Sequence, residues 1–378
     1  MRRREEIPAR DLSVCILPRC GGIVTRGRFQ IKNAAGRAAN LTASSLPVFL
    51  RAWLAVLVVA CGVGSSGAQS ANPTFRIDTS VVLVPTLVEM PSGEVVYTLK
   101  FNDFILEDNG IPQKIRVDED FDQAPVSLIV AIEKGRTSLL QFQKISKIAP
   151  LVDLFLGQGR GEAAVITFDS QPQLLTDFTD DTDAIAKDLR QLQPGDGGAA
   201  ILDTVSYCID LLEQQPKNRR RVLLLISESR DHGSKHVGSQ QLIERLGTSN
   251  TLVLSVTYSA AKAEFLNDLK GDKGVGPTMN MMTPLMMALA AVRKNVAKEI
   301  AVMSGGEYAP FTREKAFQDR IAEVAKHARN RYLLSFHPTD RTPGLHMLKV
   351  RLAEDYGAHV VARTSYWAEK AEGEQRER

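Results

Sequence analysis

Hydrophobic positions along this chain change their period twice. From Pro73 to Pro125 they recur close to every second residue: "FRIDTSVVLVPTLVEM" alternates and is rich in valine, Pro91–Gly93 is a turn, and "EVVYTLKFNDFILEDNGIPQKIRVDEDF" carries two or three more strands. Asn109-Gly110, between "DFILED" and "PQKIRV", predicts a tight hairpin. From Val126 the pattern becomes strand, helix, strand. "VSLIVAIE" reads as a buried strand, and Thr137–Leu156 as a helix with Leu139, Phe142, Ile145, Ile148, Val152 and Leu156 at steps of three and four. Strands follow at Glu162–Asp169, Gln173–Thr179 (an edge), Arg221–Ser229 and Thr251–Ser259, with a short one in "GGEYAPF". Helices are predicted at Thr182–Leu192, Ala200–Gln215, Ser239–Leu246, Leu285–Met303 and Thr312–Arg331. After Asn330 the two-residue period returns in "RYLLSFHP", "LHMLKVRLAED" and "AHVVARTSYW".

Alternating strands and helices imply right-handed crossovers and a mostly parallel sheet with helices on both faces. The fold class expected is therefore α/β, with the α/β part (126–330) inserted between N-terminal strands (73–122) and C-terminal strands (331–367). Neither set of strands buries much alone. Their apolar faces, Val82, Val84, Ile105 and Ile115 on one side and Leu334, Phe336, Val350 and Val360 on the other, are expected to form one sandwich-like unit. Residues 368–378 form a charged tail.

The first 68 residues differ from the rest. An Arg-rich stretch precedes "RAWLAVLVVACGVGSSGAQS", in which Arg51 is followed by an apolar run from Ala52 to Gly64 and then by small residues. That is the layout of a secretory signal, with cleavage after Ala68; "VVAC" also resembles a lipobox, which would make Cys61 a lipid anchor and the chain's link to a membrane. An exported protein, periplasmic or extracellular, is expected. No Met lies between Met1 and Met90, so translation is expected to start at a non-Met codon near Leu46. The leader holds ten of the chain's 47 Lys/Arg and three of its 44 Asp/Glu, which leaves 37 basic and 41 acidic residues and a net charge of about −4. A mildly acidic mature chain without a Lys/Arg stripe argues against a nucleic-acid partner.

Catalytic signals are thin. Ser227, Ser229, Asp231, His232, Ser234 and His236 lie in one loop-like stretch, and an exported hydrolase using that loop is the alternative function class; no Gly-x-Ser-x-Gly elbow occurs. His232-x-x-x-His236 reads as a surface pair, and "GDGG" (Gly195–Gly198) lacks the Lys-Ser/Thr of a phosphate loop. Cys208 reads as a buried apolar side chain. "MNMMTPLMM" (Met279–Met287) follows the Gly- and Lys-rich "KGDKGVGPT" and reads either as a helix start packed on the domain or as an adaptable partner surface.

"NDFILEDNGIPQKI", "AAVITFD" with "LLTDFTDD", "GDGGAAILDTVSYCIDLL", "RRRVLLLISESRDHGS", "GGEYAPF" and "ARNRYLLSFHP" through "VVARTSYW" occur in an order that resembles the von Willebrand factor type A (vWA) related domain proteins found especially in Acidobacteria. The resemblance covers Phe75–Trp367 and implies a vWA-like, Rossmann-type fold whose metal ion-dependent adhesion site lies at the carboxyl ends of the strands. The family motif is Asp-x-Ser-x-Ser, a later Thr and a later Asp. Carried over by position, it falls on Ala131, Glu133, Gly135, Ala199 and Glu228, which leaves Glu228 as the one carboxylate in a matching slot and implies a degenerate site with no metal and no cofactor. The resemblance thus implies a non-enzymatic, adhesion-like module for an unknown protein partner of the cell envelope or beyond. The residues expected to meet that partner are Glu133, Lys134, Arg136, Asp231, Met281, Met282 and Met286.

Overall fold

The computed structural model describes residues 81–118, 124–135, 148–157, 161–258, 283–311 and 314–370. The leader with Cys61, Arg136, Met281, Met282, the start of the helix expected at Thr137 and most of the charged tail lie outside these residues.

Four strands come first: β1 (Val82–Glu89), β2 (Phe104–Asp108), β3 (Ile111–Pro112) and β4 (Ile115–Asp118). Asn109 and Gly110 take φ of 48° and 83°, the pair of positive values that a two-residue hairpin turn demands, and β2 and β3 pair antiparallel across them. The α/β part then runs β5 (Val126–Glu133), α1 (Ala149–Leu156), β6 (Glu162–Phe168), β7 (Pro172–Thr179), α2 (Thr182–Arg190), α3 (Ile201–Glu213), β8 (Arg220–Ser227), α4 (Ser239–Thr248), β9 (Thr251–Tyr258), α5 (Pro284–Lys294), α6 (Val296–Ser304), β10 (Tyr308–Phe311) and α7 (Glu314–Arg329). The chain closes with β11 (Tyr332–Phe336), β12 (Gly344–Leu352), β13 (His359–Ala362) and β14 (Ser365–Ala368).

The central sheet has the order β10-β9-β8-β5-β6-β7, parallel throughout except for the antiparallel edge strand β7. Every residue of β5 is buried. Val126, Leu128, Val130 and Ile132 pack under α1, α2 and α7, while Ile129 and Ala131 pack under α3, α4, α5 and α6. A strand covered on both faces by helices therefore reads as one unbroken apolar run. The single helix expected over Leu285–Met303 is two helices. Asn295 leaves the helical conformation at φ −150°, and its side chain accepts from Lys298 N at 2.9 Å, so it caps α6 rather than continuing α5. Cys208 is buried on α3, where burial raises its thiol pKa. Among the described residues no helix is long and apolar enough to cross a membrane.

The flanking strands form two four-stranded sheets, β13-β1-β11-β4 and β14-β12-β2-β3, and each takes two strands from each end of the chain. Val82, Val84, Val88, Phe104, Leu106, Leu334, Phe336, Leu348 and Tyr366 make their shared core. One expected core position is corrected. Ile105 pairs with Arg351 on the face away from the core, because the period of two puts its neighbours Phe104, Leu106 and Asp108 inside. The stretch "AHVVARTSYW" is not one strand but two. The chain leaves the first sheet after Ala362 and enters the second at Ser365. Arg363 holds this corner. It is buried, and its guanidinium donates to Ser365 O, Leu83 O, and Leu246 O and Gly247 O in the last turn of α4.

Because β1 lies between β11 and β13, and β2 lies beside β12, removal of Tyr332 onward strips the N-terminal strands of their neighbours. Each core side chain stabilises by roughly 1.5–3 kcal/mol when buried. The truncated protein is expected to lose 82–118 to limited proteolysis while β5–β10 persist as a protected fragment; full protection of 82–118 in that protein would contradict the shared core.

Candidate functional site

The strand order turns at β5: the next strand in the chain, β6, lies on one side of it and β8 on the other. In open parallel sheets such a switch leaves a crevice at the carboxyl ends of the strands, where ligands bind. The loops after β5, β6 and β8, together with the loop leading into α3, meet there.

Glu133 ends β5 and is 2% exposed. Its Oε2 accepts from Glu228 N at 2.6 Å, while Oε1 is enclosed and has no hydrogen-bond partner. A β-carbon on Gly135 would lie 2.6 Å from that Oε1 and 3.0 Å from Gly198 O, so a residue without a side chain is required for the loop to fold back over the carboxylate. Burial raises the Glu133 pKa to about 7; the bond from Glu228 N and nearby His232 lower it, and the Glu228 carboxylate adds to the rise. Lys134 donates to Gln173 Oε1 at 3.1 Å, and its Nζ lies 3.6 Å from Asp169 Oδ2.

"GDGG" is an anchored turn rather than a phosphate cradle. Asp196 Oδ1 accepts from Gly198 N at 2.8 Å and Ser170 N at 3.2 Å, and the Gly198 N–H first, then the Ser170 hydroxyl and N–H, hold its pKa below the usual carboxylate range. Ala199 is fully buried, and its carbonyl accepts from His232 N at 3.1 Å. Asp231, expected to meet a partner, is engaged within the molecule: Oδ1 accepts from Leu202 N at 3.1 Å and from Ser234 Oγ at 2.5 Å. It caps α3 from a separate loop. Asp203, which sequence reasoning missed, does the reverse. Its carboxylate accepts from Lys235 N, His236 N and Val237 N at 2.9, 3.1 and 2.7 Å. An acidic residue in the first turn of a helix was the available signal, but nothing local says that a loop thirty residues on would use it.

A hydrolase arrangement does not form among the described residues. Ser227 Oγ donates to Glu228 O, the His232 ring faces Arg230 O and Gly197 O, and no hydrogen bond joins a serine to His232 or His236. Ser234 has Asp231 beside it and no imidazole base.

A mostly parallel sheet, helices on both faces and loops converging on a carboxyl-end crevice define an open-sheet α/β binding domain. Within that class, residues 134–230 match the family model described as von Willebrand factor type A domain. No curated protein matches the chain. Among solved structures it is similar to a von Willebrand factor type A protein from Catenulispora acidiphila (7% identity, 78% of this chain and 74% of that one, TM-score 0.40). It is also similar to an aerotolerance-related membrane protein from Bacteroides fragilis (17%, 53% and 98%, TM-score 0.37) and to a mutant of the PilB minor pilin from Streptococcus sanguinis (12%, 55% and 62%, TM-score 0.39). At such TM-scores these likenesses transfer no property to this chain.

Ala131 lies inside the sheet, fully buried and paired with Ile166 and Leu225. Glu133, two residues on, is at the strand end. A hard divalent ion asks for about six oxygens in near-octahedral array. Here Gly135 and Ala199 supply no side-chain oxygen, Glu133 turns one of its two oxygens to a backbone N–H, and no group of three or more His, Cys, Asp or Glu residues is placed to hold an ion among the described residues. The donors described do not fit that ion.

Proposed function

We propose that this protein is an exported, non-catalytic protein-binding module that engages its partner at the carboxyl rim of the central sheet without a bridging metal ion. The observation that carries this reading is the Glu133–Glu228 contact. The carboxylate at the end of β5 is held by a backbone N–H beneath a glycine loop, in the place where the family arranges oxygens around an ion. Lys134, at the mouth of the rim, and Met286, 51% exposed at the start of α5, supply polar and adaptable apolar contacts beside it. The family match supports a binding role, and the lack of a nucleophile–base pair among the described rim residues supports a non-catalytic one. The leader, with its cleavage site or Cys61, supports export.

Calorimetry of the purified protein with Mg²⁺ and with Mn²⁺ is expected to give no binding heat up to millimolar ion, and crosslinking to partners in the native cell envelope is expected to be unchanged by chelator and reduced by Lys134→Ala. Micromolar ion binding that is lost in Glu228→Ala would show that the two glutamates have built an ion site, and this reading would fall.

A further inference from the structure

In the last turn of α7, His327 stands between two carboxylates from different parts of the molecule. Its Nδ1 lies 2.8 Å from Glu307 Oε1, just before β10, and its Nε2 lies 3.5 Å from Glu89 Oε2, at the end of β1 in the first flanking sheet. The ring is 4% exposed. Glu307 is held from its other side by Arg331, a permanent cation, which donates to Oε2 at 2.8 Å and to Gly305 O at 2.7 Å. Glu323 lies one turn back on α7, His359 stands opposite Glu89 on β13, and α1 meets α7 through apolar side chains.

An imidazolium donates from both ring nitrogens, whereas a neutral imidazole has one N–H and one lone pair. The neutral ring keeps the short bond to Glu307, which Arg331 holds in place, and its Nε2 lone pair then faces the Glu89 carboxylate, acceptor against acceptor. The arm to Glu89 therefore exists only while the ring carries its second proton. Burial opposes the charged ring, but the bond to Glu307 and the charges of Glu307, Glu89 and Glu323 outweigh it and raise the His327 pKa above its ordinary 6.5. The contact is thus complete below pH 6.5 and is lost as pH rises through the raised value.

We propose that His327 is a proton-operated latch between the α/β part and the first flanking sheet: the protonated ring binds Glu89 and holds the end of β1, and the neutral ring releases it, so that the end of β1 and its neighbour on β13 open locally while the rest of the fold persists. Arg331 keeps Glu307 and Gly305 O in both states, which confines the change to the Glu89 side. The latch lies at the amino end of β10, away from the rim, and stands or falls independently of the binding role proposed above.

The test is hydrogen exchange of the full chain from pH 6 to pH 9, each rate corrected for the intrinsic pH dependence of amide exchange, with the ring titration of His327 followed by NMR in parallel. Protection of 86–89 and 359–362 is expected to fall about tenfold over this range, the loss of one hydrogen bond to a charged group, with the midpoint of the His327 titration. The edge strand β7, which opens without breaking the latch, is the control and is expected to stay level. In Glu89→Gln the fall is expected to vanish, because an amide accepts from the charged ring and donates to the neutral one; in His327→Gln it vanishes because nothing titrates there. Level protection of 86–89 in the parent, a fall shared equally by β7, or a midpoint apart from that of His327 would each overturn the proposal. So would a fall that persists in whichever variant folds; in His327→Gln that result would assign the effect to His359.

Discussion

Asp108→Ala is expected to lower the unfolding free energy by about 3–5 kcal/mol, the cost of leaving two buried polar partners, the His346 ring and the Tyr366 hydroxyl, unsatisfied. Asp108 ends β2 with its side chain fully buried, and His346 on β12 is 3% exposed at the side chain. One Asp108 oxygen lies 2.9 Å from His346 Nδ1, and the other accepts from Tyr366 OH at 2.8 Å. The second ring nitrogen of His346 lies 2.7 Å from Thr342 O. His346 Nδ1 also lies 3.1 Å from Tyr366 OH and 3.3 Å from Asn109 Nδ2, so the ring is held by polar partners on both sides. Burial first, then the bond to Asp108 and its charge, raises the Tyr366 pKa, so its hydroxyl stays a donor.

The network joins residues 238 and 258 positions apart, so it ties the two ends of the chain inside one core. A loss of this size is a large share of the roughly 5–15 kcal/mol that holds a domain together. Urea titration followed by circular dichroism measures it. The double variant Asp108→Ala/His346→Leu is expected to be less destabilised than the sum of the two single changes, because it removes the orphaned ring as well. A single variant within 1 kcal/mol of the parent would show that the pair contributes little.

Glu133→Gln is expected to stabilise the protein at pH 8 by about 3 kcal/mol and to change little at pH 4.5. With the Glu133 pKa raised to about 7 from an ordinary 4.5, the folded protein keeps a proton that the unfolded chain has released between those values. Stability from this group therefore falls as pH rises from about 4.5 to 7 and is level above that, with 1.36 kcal/mol for each pH unit of difference. Glutamine offers the same oxygen to Glu228 N and has no charge to bury.

Other groups shift the stability profile as well. Burial opposes the charged form of His327, but the bond to Glu307 at 2.8 Å, with Glu89 and Glu323 near, raises its pKa, so its contribution is lost as pH rises. Burial likewise opposes ionisation of Glu307, yet His327 and Arg331 outweigh it and lower its pKa, so its contribution is lost as pH falls. Both are common to parent and variant and cancel in the difference. Urea titrations of the two proteins across pH 4.5–8 should diverge; parallel curves would mean that Glu133 is ionised without penalty.

Much of the architecture was legible in the sequence because it rests on short periods. Full burial of β5 appears as an apolar run, the Asn109-Gly110 turn as a dipeptide with few other uses, and the sandwich as two sets of strands that each lack a second layer. Period alone did not place Ile105, since a strand with apolar residues on both faces fits either register until its partner is known. Nor did it mark the break at Asn295, where the apolar pattern continues across the cap, or the corner at Arg363, where the chain changes sheets without a proline or glycine.

The rim was legible only in outline. The ordered segments pointed to the vWA class and to the loops that meet at the strand ends, but the site's register depended on where β5 stops. Tertiary structure decided that Glu133 and not Ala131 stands at the strand end, that Asp231 is spent on the start of α3, and that Asp203 holds the loop of Lys235–Val237. It also decided where charges meet: Asp108 with His346, and His327 with Glu89 and Glu307. The physical reason is range. Side-chain period and turn chemistry act over two to four residues and are written locally, whereas burial, hydrogen-bond partners and the pKa shifts they produce depend on groups tens to hundreds of residues apart, brought together only when the sheets close.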